Sequence, residues 1–185
     1  MAVSFNINDL KSNLTGGGAR QSLFSVQITN KLFGEADFKA PFLIKASSLP
    51  EVTIGNFSVP YFGRKVNMAG DRSFQPWQVT IINDEDFLIR NAMEKWSNAI
   101  NSLQSNVRGP GLSSPNNYKS TATVSQYDKS GNTIRQYVFD GIYPQDITAI
   151  GLDWNANDQI EEFNVTFMYD YYNVLGTTAA DFSNQ

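Results

Sequence analysis

The sequence predicts a mainly β chain, a two-sheet sandwich or barrel with one flanking amphipathic helix and a long extended hairpin. Three observations carry that expectation. Short runs alternate apolar with polar residues between clusters of Gly, Pro, Asn and Asp. A single segment instead repeats apolar residues at spacings of three and four. A glycine-punctuated stretch, residues 51–73, is too poor in apolar side chains to be core yet long enough to form two strands. At 185 residues the chain has the length of one domain. The reading divides it into an N-terminal arm at 1–21, a β core at 22–172 and a C-terminal tail at 173–185.

The elements follow in order. The arm ends in Thr15-Gly16-Gly17-Gly18, which favours flexibility over regular structure. Phe24, Val26 and Ile28 then alternate with Ser25, Gln27 and Thr29, the pattern of a half-buried strand, and residues 42–49 give another. After the hairpin segment, Trp77, Val79 and Ile81 resume the alternation. The helix is predicted at about 84–105, where Ile89, Met93, Trp96, Ile100 and Leu103 form one stripe. Asn83 or Asp84 would cap it, and Asp84, Glu85 and Asp86 would face the positive end of its dipole. Such a helix would be roughly 33 Å long. Arg108-Gly109-Pro110-Gly111 forbids its continuation. Two hairpins are expected next, 118–127 with 133–140 around the turn at 128–132, and 148–154 with 160–169 around Asn155 and Asn157. In the last strand Phe163, Val165, Phe167 and Tyr169 share one face.

Composition narrows the function. Cysteine and histidine are both absent, which removes the thiolate nucleophile, the commonest general base and the usual transition-metal ligands. No catalytic residue, metal or cofactor is expected. A net charge of −4 argues against a protein that grips phosphates. Charged residues make up only 17% of the chain, fewer than a soluble monomer normally displays, so much of the surface is expected to face other proteins. The first eighteen residues lack the apolar stretch of a signal peptide, and no window is long and apolar enough to span a bilayer.

Several motifs dissolve on inspection. Asp153, Asn155 and Asn157 imitate the start of a calcium loop, but Asp158 stands where that loop needs Gly and Asn164 where it needs Glu, so a turn is expected. Gly109-Pro110-Gly111 lacks the Lys and Ser/Thr of a phosphate-cradling loop. The tryptophans Trp77, Trp96 and Trp154 are expected in the core. One stretch resists such treatment, Gly63-Arg64-Lys65-Val66-Asn67-Met68-Ala69-Gly70-Asp71-Arg72-Ser73-Phe74. Its mixed charges and small residues suit a docking surface, with Arg64, Lys65, Asn67, Ala69, Gly70, Asp71 and Arg72 as the contact residues.

These residues also carry a family resemblance. Leu49-Pro50-Glu51, Val59-Pro60, Arg64 through Arg72, Phe74, Trp77, Val79 and Asn83-Asp84-Glu85 resemble the tail tube proteins of T-even-like contractile phages. So do Tyr118-Lys119-Ser120, Gly141-Ile142-Tyr143-Pro144, Leu152-Asp153-Trp154 and residues 160–166. The match covers roughly residues 22–172, while the terminal arms depart from the pattern.

The resemblance implies a structural subunit rather than an enzyme, with hexameric rings stacked into a DNA-conducting tube inside the virion, assembled in the host cytoplasm. It implies as partners further copies of the chain, the tail sheath protein, the baseplate tube-initiator protein, the tail terminator, and tape measure protein and DNA in the lumen. The long hairpin and the termini would lie between rings. Asp84, Glu85, Asp86 and Glu94 would face the sheath. An acidic lumen would let DNA slide without adhering. Two related roles fit the same residues: a tube subunit of a protein-conducting contractile injection system, and the initiator that nucleates the tube at the baseplate.

Overall fold

A computed structural model describes residues 6–176. Nine strands, β1 Phe24–Thr29, β2 Ile44–Ser47, β3 Val52–Tyr61, β4 Arg64–Phe74, β5 Trp77–Ile82, β6 Ser120–Tyr127, β7 Thr133–Ile147, β8 Glu162–Met168 and β9 Tyr171–Gly176, dominate it. Every described pairing is antiparallel. Seven strands form one path, β1-β6-β7-β8-β5-β2 with β9 also on β7, and β3 pairs only with β4. The path ends on β1 and β2 without closing into a barrel.

The path folds into two leaves because β7 serves both. Its first half lies between β6 and β9, and its second half, Tyr143 to Ile147, pairs with β8. The strand turns at Gly141, whose φ of 71° is open to glycine and costly for other residues. A sandwich corner made by one strand changing sheets removes two edges that would otherwise need cover.

Between the leaves the predicted alternation holds. Val26 and Ile28 of β1, Trp77, Val79 and Ile81 of β5, and Phe163, Val165 and Phe167 of β8 are all buried. Trp77 lies flat on Phe139 across the sandwich, centroids 4.4 Å apart and planes 19° from parallel. Helices α2 Ala40–Leu43, α3 Leu88–Ile100 and α4 Pro115–Tyr118 accompany the sheets, and α1 Ile7–Asn13 precedes β1 with every residue exposed. From α3, Ile89, Ala92, Met93 and Trp96 are buried, and the Trp96 indole donates to the Tyr118 carbonyl at 2.8 Å.

Five expectations need correction. The helix is 13 residues long, not the 22 of residues 84–105. Residue Phe87, in the left-handed region at φ 53°, precedes it with no side-chain cap, so neither Asn83 nor Asp84 caps it. At the other end Asn101 turns extended, and residues 102–109 fold back so that the Gly109 amide donates to Ala99; Leu103 is exposed outside the helix. Residues 40–43 are a helical turn rather than the start of a strand. Residues 148–154 are loop, because β8 finds its partner in the far half of β7.

At the termini, α1 lies inside the predicted flexible arm, and β9 runs through Gly176, past the expected core limit at 172. The remainder of the tail, 177–185, and residues 1–5 lie outside the described residues.

Two predictions follow from the sandwich. A Cβ at Gly141 would sit 2.2 Å from Asp170 Oδ2, and Asp170 is held by Lys119 at 2.6 Å. Gly141→Ala should therefore cost about 1–3 kcal/mol in urea unfolding, with part regained in an Asp170→Ala background; an unchanged midpoint would refute the corner's role. Tyr169, at the foot of the hairpin, has its pKa pushed up from 10.0 to about 12, chiefly by burial and further by Tyr172 and Glu51. Its raised folded pKa means that this contribution is whole below pH 10 and is lost as pH climbs toward about 12. Stability should fall across that window, and Tyr169→Phe should make the fall shallower. Equal slopes would show that Tyr169 does not titrate with unfolding.

Candidate inter-subunit surfaces

The β3–β4 hairpin is built to stand away from the sandwich. A two-residue turn, Phe62 and Gly63, joins the strands with both residues at positive φ, the geometry whose twist matches that of paired strands. Ten residues in β3 give a ribbon about 33 Å long. Of the two strands only Val52, Gly70 and Phe74 are even partly shielded. Its root is fixed: Phe74 packs on Tyr169 and Tyr172 at 5.6 and 5.8 Å, and Gln75 N donates to Glu51 O at 3.3 Å.

Register divides the ribbon into two faces, since directly opposed residues share a side. Phe57 opposes Met68, Val59 opposes Val66 and Tyr61 opposes Arg64, giving one apolar face with a cation at its tip. Asn56 with Ala69, Ser58 with Asn67 and Pro60 with Lys65 make the polar face.

Below Gly55 the arrangement reverses. Ile54 opposes Arg72 while Asn56 opposes Ala69, so β4 carries one extra residue, a bulge at Gly70 and Asp71. Added Cβ atoms at Gly55 and Gly70 would each meet opposing backbone at 3.2 Å, so the strands approach more closely where they bend than most side chains allow. Alternation along β3 is unbroken, so Val52 and Ile54 lie on the side opposite to Phe57, Val59 and Tyr61. The root therefore presents its apolar side to its own body by way of Phe74, and the outer half presents the other side, which none of the described residues covers.

The seven residues singled out from sequence thus fall into three groups. Lys65, Asn67 and Ala69 line the polar face, Arg64 tips the apolar one, and Gly70, Asp71 and Arg72 form or flank the bulge. Sequence reasoning passed over the apolar residues Phe57, Val59, Tyr61, Val66 and Met68, although their alternation with Asn56, Ser58 and Pro60 was the available signal. Phe62 at the tip is 91% exposed.

The acidic residues are brought together differently from expectation. Lys39, just before α2, holds Asp86 at 2.7 Å and Asp84 through a short ion pair, which replaces the predicted capping role. The hydrogen bond with Asp84 first, and that with Asp86 next, push the Lys39 pKa up. Glu94 pairs with Arg90 one turn away at 2.6 Å, and Glu85 is exposed.

Beside them rises the β7–β8 loop, clamped at both ends. Arg90 donates to the Thr148 carbonyl at 2.8 Å, and Asn83 donates to Glu161 through its backbone and its side chain. Within the loop Asp153 accepts from the Asn155 amide at 2.9 Å, the turn expected in place of a calcium site. That turn leaves Trp154 100% exposed, against the expectation of a core tryptophan, with Leu152 and Ile160 also in solvent. Among the described residues no group of His, Cys, Asp or Glu is arranged to hold a metal.

A fold with a cantilevered ribbon at one end and a clamped aromatic loop at the other has clear relatives. The family model for phage tail tube protein matches residues 2–175. The tail tube protein gp19 of Enterobacteria phage T4 is 32% identical over 159 residues, 85% of this chain and 93% of the relative. The tail tube protein of Serratia phage KSP90 is 27% identical, covering 88% and 93%. Among solved structures, the tube-terminating cap of the anti-feeding prophage aligns at TM-score 0.63 with 16% identity, over 96% of this chain and 95% of the other. A chain of the extended sheath-tube complex of an extracellular contractile injection system aligns at TM-score 0.56 and 16% identity, over 94% and 100%. This chain belongs to the phage tail tube protein family, a structural component of the virion.

Proposed function

We propose that this chain is the repeating subunit of the inner tail tube of a contractile phage, in which six copies form a ring and stacked rings make the channel through which DNA leaves. Its role is structural, carried by surfaces rather than by a catalytic site. The observation that carries the reading is the β3–β4 ribbon. An isolated two-stranded hairpin is marginal in water, and this one displays Phe57, Val59, Tyr61, Val66 and Met68 on one exposed face. A second copy of the chain supplies the missing cover. Among the described residues the path ends on the edges of β1 and β2, and these supply the means of ring closure, because lateral strand pairing satisfies their backbone groups.

Negative-stain microscopy of the purified protein should reveal rings and hollow tubes. A monodisperse monomer at high concentration, even with preformed tube seeds, would sink the proposal. In the double variant Phe57→Ser with Val59→Ser, the monomer should keep its stability to within about 0.5 kcal/mol, because both side chains are exposed, while tube formation is lost. Normal tubes from that variant would show that the apolar face has no partner.

A second surface is assigned to the sheath. Glu85, Asp86 and Glu94 are exposed along the entry and outer side of α3, only partly neutralised by Lys39 and Arg90. A basic segment of the sheath protein suits that strip. Glu85→Lys with Glu94→Lys should block sheath assembly on tubes that themselves look normal by microscopy. Sheathed tubes from this variant would remove the assignment.

A further inference from the structure

The ribbon and the Trp154 loop leave opposite ends of the same sheet. Trp77, at the start of β5, lies opposite Phe167, and Ile82, at its end, opposite Glu162. The ribbon joins β5 just before Trp77, and the β7–β8 loop enters β8 just before Glu162. About 20 Å of strand separates them. Their chemistry is complementary. The ribbon from Arg64 to Arg72 carries Arg64, Lys65 and Arg72 against Asp71 alone, in a chain whose net charge is −4. The loop carries Asp153, Asp158 and Glu161 and has no cation of its own between residues 148 and 161, while Arg90 of its clamp is paired with Glu94. Each end also exposes apolar groups, the ribbon's face on one side and Trp154, Leu152 and Ile160 on the other.

We infer that the β7–β8 loop is the acceptor for the ribbon of a second copy, with Trp154 as the anchor that packs between Tyr61, Val66 and Phe62 while Arg64 and Lys65 meet the carboxylates around it. This rests on the tube reading and specifies which surface of the next ring receives the hairpin. The geometry is head to tail, a contact between two different surfaces that repeats without closing. A tryptophan standing wholly in water, on a loop fastened at both ends, is the side chain most often found at the energetic centre of an interface. The fastening matters, because Thr148 and Glu161 are held by the body and little ordering remains to be lost on contact.

The test is a charge exchange in the full-length chain, read as the lowest protein concentration that yields sedimentable tubes. Trp154→Lys sets a cation against Arg64 and Lys65 of the next copy and touches nothing in its own chain. It should raise that concentration about tenfold or more. Arg64→Glu with Lys65→Glu should do the same by opposing the carboxylates of the loop, and adding Asp158→Lys, which leaves Trp154 in place, should lower that concentration again severalfold. Tubes from Trp154→Lys at the wild-type concentration, or an Arg64→Glu, Lys65→Glu, Asp158→Lys variant no better than the Arg64→Glu, Lys65→Glu double variant, would overturn the assignment while leaving the tube reading intact. A wild-type chain that makes no tubes at all would instead bring down that reading and this one with it.

Discussion

The structure depends on Trp77 lying flat against Phe139. The two rings come from different leaves, and Phe167, Trp96 and Tyr169 gather around them. Burying aromatic surface of this kind is worth several kcal/mol per residue, with about 0.5–1.5 kcal/mol more from the ring contacts. The indole N–H must still find an acceptor inside, and it finds two at the end of β2, Ser47 Oγ at 3.1 Å and the Ser48 carbonyl at 3.0 Å. That bond has a mechanical consequence. Four residues beyond Ser48 the chain enters the ribbon, so the residue that joins the leaves also fixes the direction in which the hairpin departs.

From this follows a division of labour. The sandwich covers its own interior, through a corner strand that serves both leaves and apolar side chains drawn from alternating positions. The ribbon does not. Its backbone is paired internally, but its outer apolar face has no counterpart among the described residues, and the bulge at Gly70 and Asp71 marks where the covered side gives way to the uncovered one. A monomer keeping such a face in water carries a standing cost, which association removes. The low charge density agrees: surface that will be buried between copies has no need of ionised side chains.

Much of this was legible in the sequence, and the failures share one cause. Period-two alternation identified β1, β5 and β8 and the buried face of each, because those strands have one wet and one dry side, and turn residues at 128–132 placed β6. The three-and-four spacing found α3 and its buried Ile89, Met93 and Trp96. Its start was misplaced because Asp84 and Asp86 find in Lys39 a partner 45 and 47 positions earlier in the chain, which no local capping rule can see, and its end because residues 102–109 fold back onto the last turn through Gly109 and Ala99. Residues 148–154 of the loop looked like a strand for a similar reason: Ile150 and Leu152 alternate, yet β8 is already paired on both sides, by β5 and by the far half of β7. Trp154 was read as core because tryptophan usually is. The charged segment at Arg64–Arg72 was recognised as a surface, but its apolar partner face was missed although Phe57, Val59 and Tyr61 alternate as plainly as any core strand.

Charge placement completes the argument, because the net −4 conceals a separation. The ribbon carries three cations against Asp71 alone, whereas around the entry to α3 and the β7–β8 loop, at the far end of the same sheet, the cations Lys39, Lys45 and Arg90 are already paired within the chain and Asp153 and Asp158 have no cation bound to them among the described residues. Two copies meeting ribbon to ribbon would oppose like charges, and so would two copies meeting loop to loop; only the head-to-tail approach brings unlike charges together. Such exposed charges contribute little affinity at physiological salt, where they act over about 8 Å. Their effect falls on orientation and encounter. The apolar face of the ribbon supplies the affinity, and it is indifferent to direction, so polarity in the assembly has to come from the charges that frame it.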